Sequence, residues 1–172
     1  NKALEYDLLA LKIREKVLGK EHPDYAVSIG NLAFTYSNLG DYNKALEYDL
    51  LALKIREKVL GKEHPSYALS LNNTASDYSN LGDYNKSLEF NLLALKIYEK
   101  VLGKEHPSYA MSLNNTASDY SDLGDYNKSL EFNLLALKIY EKVLGKEHPN
   151  YARSLNNIAL NYSNLGDFNK AL

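Results

Sequence analysis

The chain has 172 residues, no cysteine, and 20 basic against 22 acidic residues, which gives a formal net charge of −2. This balance gives no reason to expect nucleic acid or an anionic membrane as a partner, and the lack of cysteine excludes disulfides and thiolate chemistry. No run of 18 or more apolar residues occurs, so the sequence predicts no transmembrane helix. Together these features favour a reducing, cytoplasmic compartment.

Residues 1–18 begin the chain with an amphipathic helix, because Tyr6, Ala10 and Ile13 recur at steps of three and four. Gly19 is predicted to end this helix as a left-handed cap. Pro23 suits the first turn of the next helix, where its missing N–H would have no helical partner. That helix runs to about residue 39, and Asp41 is a good N-cap for the one that follows.

The same pattern then recurs along the whole chain. The stretch at 8–23 returns at 50–65, 92–107 and 134–149, each time 42 residues later, and changes at one internal position. A fixed period in this range is typical of stacked-repeat proteins. We therefore predict a single solenoid over residues 1–172, with four 42-residue repeats (1–42, 43–84, 85–126 and 127–168) and a stub at 169–172. Because the chain starts within a unit, we expect it to belong to a longer array.

Each repeat contributes two helices, named here helix A and helix B. Helix A is predicted at 23–39, 65–81, 107–123 and 149–165, and helix B at 1–18, 42–60, 84–102 and 126–144. The short connections between them require antiparallel neighbours. No strand pattern occurs, so the predicted fold class is all-α, built from antiparallel helix pairs.

The unit resembles the tetratricopeptide repeat. It has Leu-Gly-Asp-Tyr at its turn, with Ala33 and Tyr36 before the turn and Ala45 after it. The long form, with Glu-Lys-Val-Leu-Gly-Lys-Glu-His-Pro, is similar to the repeats of kinesin light chain. This resemblance implies a right-handed superhelical solenoid that acts as a protein–protein interaction scaffold. Helices A would line a concave groove, and helices B would form the convex back.

The chain departs from the family at one position of helix B, where a buried aromatic residue is usual. Polar residues stand there instead: Asp7, Asp49, Asn91 and Asn133. We expect the preceding aromatic residues to replace the missing packing: Tyr6, Tyr48, Phe90 and Phe132.

The histidines occur once per repeat, at 22, 64, 106 and 148. A metal ion needs ligands within a few ångströms of each other, whereas equivalent residues of stacked helices lie about 8–10 Å apart. We therefore predict a loop or helix-capping role, with no metal and no cofactor. No nucleophile–base pattern or phosphate-binding loop is present, so we do not expect an enzyme.

Differences among the repeats concentrate in helix A. The first two repeats differ at seven positions, and all seven lie between residues 24 and 35. If helix A lines a groove, its wall would carry the residues Val27, Leu69, Met111, Arg153, Asn31, Asn72, Asn73, Asn114, Asn115, Asn156, Asn157, Phe34, Ser76, Ser118 and Leu160.

The asparagines suggest how such a groove would work. A side-chain amide both donates and accepts, so a row of amides can pair with the backbone of an extended peptide of any sequence. The apolar and charged positions would then select particular ligands. Two alternatives stay open: the asparagines form a solvated face, or they bond to neighbouring helices. A rival function is a structural spacer without a groove ligand, which associates end to end through terminal helices that lack polar caps.

Overall fold

The computed structural model describes residues 2–171, and within this range the chain forms nine α-helices and no strand. Helices B are α1 (Lys2–Leu18), α3 (Tyr42–Leu60), α5 (Tyr84–Leu102) and α7 (Tyr126–Leu144). Helices A are α2 (Pro23–Asn38), α4 (Pro65–Asn80), α6 (Pro107–Asp122) and α8 (Pro149–Asn164), and α9 (Phe168–Ala171) is a single turn. The all-α prediction is confirmed, and each helix A ends one residue earlier than predicted.

The helices group into two compact units, Asn1–Phe90 and Asn91–Leu172. In the first unit α1 packs on α2, α2 on α3 and α3 on α4. In the second unit α6 packs on α7, α7 on α8 and α8 on α9. Within each unit, these helices therefore pack against helices adjacent to them in sequence, as short connections require. One continuous solenoid over all four repeats stays a prediction.

The core of each unit is made by small and branched side chains at recurring positions. In α2 the fully buried residues include Ala26, Ile29 and Leu32, and Ile29 packs with Ala52 of α3, where Ala45 is also fully buried. Alanine at these positions lets two helices approach closely, so that larger neighbours fill the remaining space.

The aromatic residues of helix B pack as expected from the sequence. The rings of Tyr36 and Tyr48 stack at 5.5 Å between centroids, and Tyr120 meets Phe132 at 5.4 Å. The same contact joins Tyr78 and Phe90 at 5.4 Å. These separations are typical of favourable aromatic pairs, which confirms for Tyr48, Phe90 and Phe132 that the aromatic residue beside the polar position packs on helix A. The prediction is wrong for Tyr6, which is 68% exposed.

Histidine caps the N-terminus of every helix A. The Nδ1 atom of His64 accepts a hydrogen bond from the backbone N–H of Ser66 at 3.0 Å, and the other three histidines accept equivalent bonds at 3.1 Å. Each bond satisfies a backbone donor that has no partner within the helix. The predicted capping role is therefore confirmed.

The glycine that ends helix B differs in detail from the prediction. Gly61 has φ 84° and ψ 163°, and Gly145 has φ 83° and ψ 165°. The positive φ was expected, but the ψ value is extended and lies outside the left-handed helical region. Because a Cβ disfavours this conformation, glycine is the residue that adopts it readily.

Candidate functional site

The variable apolar positions of helix A are largely exposed. In the first unit Val27 is 40%, Phe34 69% and Leu69 42% exposed. In the second unit Leu160 is 57% exposed, Arg153 is exposed and Met111 is half-buried. The serines at 76 and 118 are also exposed. The exposed apolar side chains among them can contact a ligand, whereas Arg153 also interacts with Tyr140.

The asparagine pairs divide into an inner and an outer column. In the inner column Asn72 and Asn114 are 5% and 4% exposed. The Nδ2 atom of Asn114 donates to Ser154 Oγ on the next helix A at 2.9 Å. We therefore withdraw Asn72 and Asn114 as peptide ligands, because their amides are buried and Asn114 bonds to a neighbouring helix. Asn156, which follows in the same column, is exposed.

The outer column stays at the surface. Asn31 is exposed, and Asn73, Asn115 and Asn157 are half-buried. A half-buried amide keeps hydrogen-bonding capacity toward solvent while its position is fixed by packing. Within this column the side chain of Asn73 also hydrogen-bonds the Asp49 carboxyl.

The outer column borders a cleft that recurs at equivalent repeat positions in both units. The first cleft has a volume of about 100 Å³ and is lined by Phe34, Ser37, Asp49, Asn73, Ser76 and Asp77. The second cleft has a volume of about 60 Å³ and is lined by Ser118, Ser121, Ser129, Asn133, Asn157, Leu160 and Asn161. Each cleft lies between two successive helices A, and the helix B between them contributes to its lining.

The floor of each cleft is a polar pair, defined here as the polar residue of helix B and the residue 28 positions later on helix A. The four polar pairs are Asp7/Thr35, Asp49/Asp77, Asn91/Asp119 and Asn133/Asn161. Thr35 Oγ1 donates to Asp7 Oδ2 at 2.5 Å, and Asn91 Nδ2 donates to Asp119 Oδ2 at 2.6 Å. The residues that replace the family's buried aromatic therefore connect helices B and A through side-chain contacts.

The Asp49/Asp77 pair differs from the others because both members are carboxyl groups. They are 5% and 3% exposed. Burial and the nearby Asp77 carboxyl raise the pKa of Asp49 to about 8, although Arg56 opposes this shift. Burial raises the pKa of Asp77 to about 6. Two carboxyl groups in contact at a buried site cannot both ionise readily, so the pair retains a proton near neutral pH.

These floor residues were not predicted as site residues. The sequence pattern marks Asp49 and Asn133 only as polar residues at a position where the family usually has an aromatic residue, and it does not mark Asp77 or Asn161. A signal was present, since polar residues recur 28 positions apart in all four copies. The distance of 28 residues spans two helices, so a helical periodicity search does not reveal it.

A larger cleft lies on another face of the first unit, between the α1–α2 connection and α3. It has a volume of about 330 Å³ and is lined by Lys20, Glu21, Tyr25, Leu51, Lys54, Ile55, Lys58 and Val59. Lys58 and Glu21 form an exposed ion pair across it. Exposed ion pairs contribute little stability. The lining of this cleft contains no buried polar pair like those between helices A.

None of the helices within residues 2–171 combines the length and apolar character needed to cross a bilayer. In the same range, no three histidine, aspartate or glutamate side chains come together as metal ligands. The histidine Nδ1 atoms are occupied by the caps described above.

Comparison with protein-family models identifies the helix pairs. The Tetratricopeptide repeat model matches four overlapping stretches, residues 1–49, 28–100, 75–142 and 117–172, which together cover the chain. The chain belongs to the tetratricopeptide repeat family. Proteins built from these repeats are generally scaffolds without enzymatic activity, which agrees with the scaffold expected from the sequence.

Solved structures of kinesin-light-chain-like proteins are similar to these tetratricopeptide repeats. A Podosopora anserina protein, described as a kinesin light chain with nearly identical TPR-like repeats, is 29% identical with a TM-score of 0.81; the match covers 99% of this chain and 81% of that one. BtubC (BKLC) from P. vanneervenii is 27% identical with a TM-score of 0.86, over 99% and 68% of the two chains.

A Rap protein complexed with Competence and Sporulation Factor is 17% identical with a TM-score of 0.82, over 98% of this chain and 45% of that one. At this identity the likeness concerns the fold alone. A comparison with curated protein sequences finds no match.

Proposed function

We propose that this protein-interaction scaffold binds an extended peptide segment along the surface of its helices A, with side chains of the peptide entering the clefts. The observation that carries the proposal is the recurrence of one cleft at equivalent positions in both units. The side chains of an extended peptide project separately from its backbone, so each cleft can take one of them.

The residues around the clefts support separate roles. Asn73 and Asn157 lie at the cleft edges and can bond to peptide backbone. Phe34 and Leu160 border the first and second clefts with exposed apolar side chains. Burial of these side chains by a ligand would supply the hydrophobic part of the affinity. Because the first cleft has Phe34 and the second has Leu160, the two clefts would prefer different peptide side chains.

An unbiased peptide-library selection with the intact chain tests this function. Selected peptides should lose affinity when Phe34→Ala and Leu160→Ala are combined, because both side chains border a cleft. They should lose about thirtyfold when Asn73→Ala and Asn157→Ala are combined, since each lost hydrogen bond costs on the order of 1 kcal/mol and tenfold corresponds to about 1.4 kcal/mol.

The matched control is Lys54→Ala, an exposed position of α3 that lines the larger cleft on the other face. Peptides whose affinity survives all four helix-A changes but falls with Lys54→Ala would move the site to that face and refute the proposal.

A further inference from the structure

The floor of the first cleft holds buried acceptors that lack a donor. Asp49 Oδ1 and Asp77 Oδ2 are both buried and have no hydrogen-bond partner in the described structure. In the third repeat Asp119 receives the amide of Asn91, and in the first Asp7 receives the hydroxyl of Thr35. The Asp49/Asp77 pair therefore differs from these two in keeping one unpartnered oxygen on each carboxyl group, although the side chain of Asn73 hydrogen-bonds Asp49.

The cations near this floor are few. Arg56 lies next to Asp49 on α3, and its Nη1 atom donates to Ser70 Oγ and to the backbone oxygen of Ser66. The two helices that form the cleft walls, α2 and α4, contain no lysine or arginine. A second positive charge at this floor would therefore have to come from a ligand.

The dimensions and rim of the cleft fit such a charge. The volume of about 100 Å³ exceeds several-fold what one water molecule needs. Phe34 lies at the rim with 69% of its surface exposed, so its ring is available to the alkyl stem or to the cation itself.

We infer that the first cleft selects a lysine side chain of the bound peptide, whose ammonium group donates to the Asp49 and Asp77 carboxyls. This inference rests on the proposed function and names the side chain that one cleft takes. The second cleft carries Asn133 and Asn161 on its floor and Ser118 in place of Phe34. With a neutral floor and no aromatic rim, it has no preference for a cation.

A small probe tests the cleft without a peptide. The intact chain is titrated with n-butylammonium chloride, and separately with n-butanol at equal ionic strength, while carbon-13 shifts of the Asp49 and Asp77 carboxyls are followed by NMR. We expect saturable shifts with the cation at a concentration at least tenfold lower than with the alcohol. Equal responses to both probes, or no saturation with the cation, would overturn the inference.

Two matched variants localise the response. Asp49→Asn recreates the Asn/Asp pair of the third repeat and should weaken butylammonium binding at least tenfold. Asn133→Asp combined with Asn161→Asp should create a second saturable site in the second cleft. Unchanged binding by Asp49→Asn contradicts the inference, and the comparison of the two probes on the unaltered chain does not depend on the folding of either variant.

Peptide selection separates this inference from the proposed function. Lysine should be enriched at one peptide position with the unaltered chain, and at least tenfold less with Asp49→Asn. Peptides that bind the groove without this enrichment would refute the lysine preference and leave the function standing. Saturable butylammonium binding without any selected peptide would refute the function and leave the cation site.

Discussion

Asp49 and Arg56 lie seven residues apart on α3, both are buried, and the charge of Arg56 stabilises the ionised form of Asp49. The two positions change together along the chain. The first two repeats carry aspartate with arginine, and the last two carry asparagine with tyrosine. Removing one member of a buried charge pair leaves the other uncompensated, which explains why the third and fourth copies replace both.

The carboxyl pair predicts an unusual dependence of stability on pH. Between about pH 4 and pH 8 the folded chain holds a proton on the Asp49/Asp77 pair that the unfolded chain has released, because folding raises both pKa values from 3.8, to about 8 and about 6. Stability from this pair is therefore complete below pH 4 and is lost as the pH rises through 8. Asp49→Asn should flatten this loss, and because it also leaves the buried Arg56 without its carboxyl partner, the quantity to compare is the slope of unfolding free energy against pH, measured by urea unfolding across a pH series.

Asn91→Asp is the matched control for this prediction. It places a second carboxyl opposite Asp119, with Tyr98 instead of arginine one heptad along the helix. The variant should lose stability toward high pH more steeply than the unaltered chain. Parallel pH profiles for the unaltered chain and both variants would show that the pair carries no linked proton.

Replacing a histidine cap should lower stability because the capping hydrogen bond is lost, and not because packing of the imidazole ring is lost. His64→Ala removes the acceptor for the Ser66 N–H and should lower the free energy of unfolding by about 1 kcal/mol, whereas His64→Asn should retain most of it. Denaturant midpoints of the two variants give the comparison. An equal loss for alanine and asparagine would point to packing of the ring.

Gly30 is a helical glycine that tolerates a side chain. A Cβ there would lie 3.9 Å from Arg56 Nη2 and 4.0 Å from Asp49 Oδ1, which is ordinary contact. Gly30→Ala should therefore raise the free energy of unfolding by about 0.5–1 kcal/mol. Gly61→Ala should lower it, because φ is 84° at that position. Thermal unfolding of both variants tests the contrast, and a loss with Gly30→Ala would mean that Arg56 and Asp49 cannot accommodate the methyl group.

End-to-end association stays a prediction, and exposed apolar side chains of α1 support it. Tyr6, Ile13 and Val17 are 68%, 54% and 71% exposed, and α1 has no buried residue. At the other end Leu160 and Leu165 are exposed, whereas Ile158 is 8% exposed and belongs to the core. Tyr162 is half-buried. Sedimentation across a concentration series should show reversible association that Val17→Asp weakens.

The control is Val143→Asp, at the equivalent position of the fourth repeat, where the side chain is 43% exposed. It should leave the association unchanged. A single sedimentation coefficient up to millimolar protein would contradict end-to-end contact.

The sequence by itself determined the helices, because repeated apolar spacing, the glycine and proline boundaries and the Asp41 cap are local signals that recur in every copy. It also determined the capping role of the histidines, which depends on neighbours within one repeat. It predicted packing by Tyr48, but the structure supplied Tyr36 as the partner. The tertiary structure alone decided that Asn72 and Asn114 are the buried members of the pairs Asn72/Asn73 and Asn114/Asn115, since the two residues of each pair are adjacent in sequence and only packing between helices distinguishes them. It also decided that Asp49 meets Asp77 at the floor of a cleft, because that contact joins two helices and its chemistry arises from burial, which residue identity does not specify.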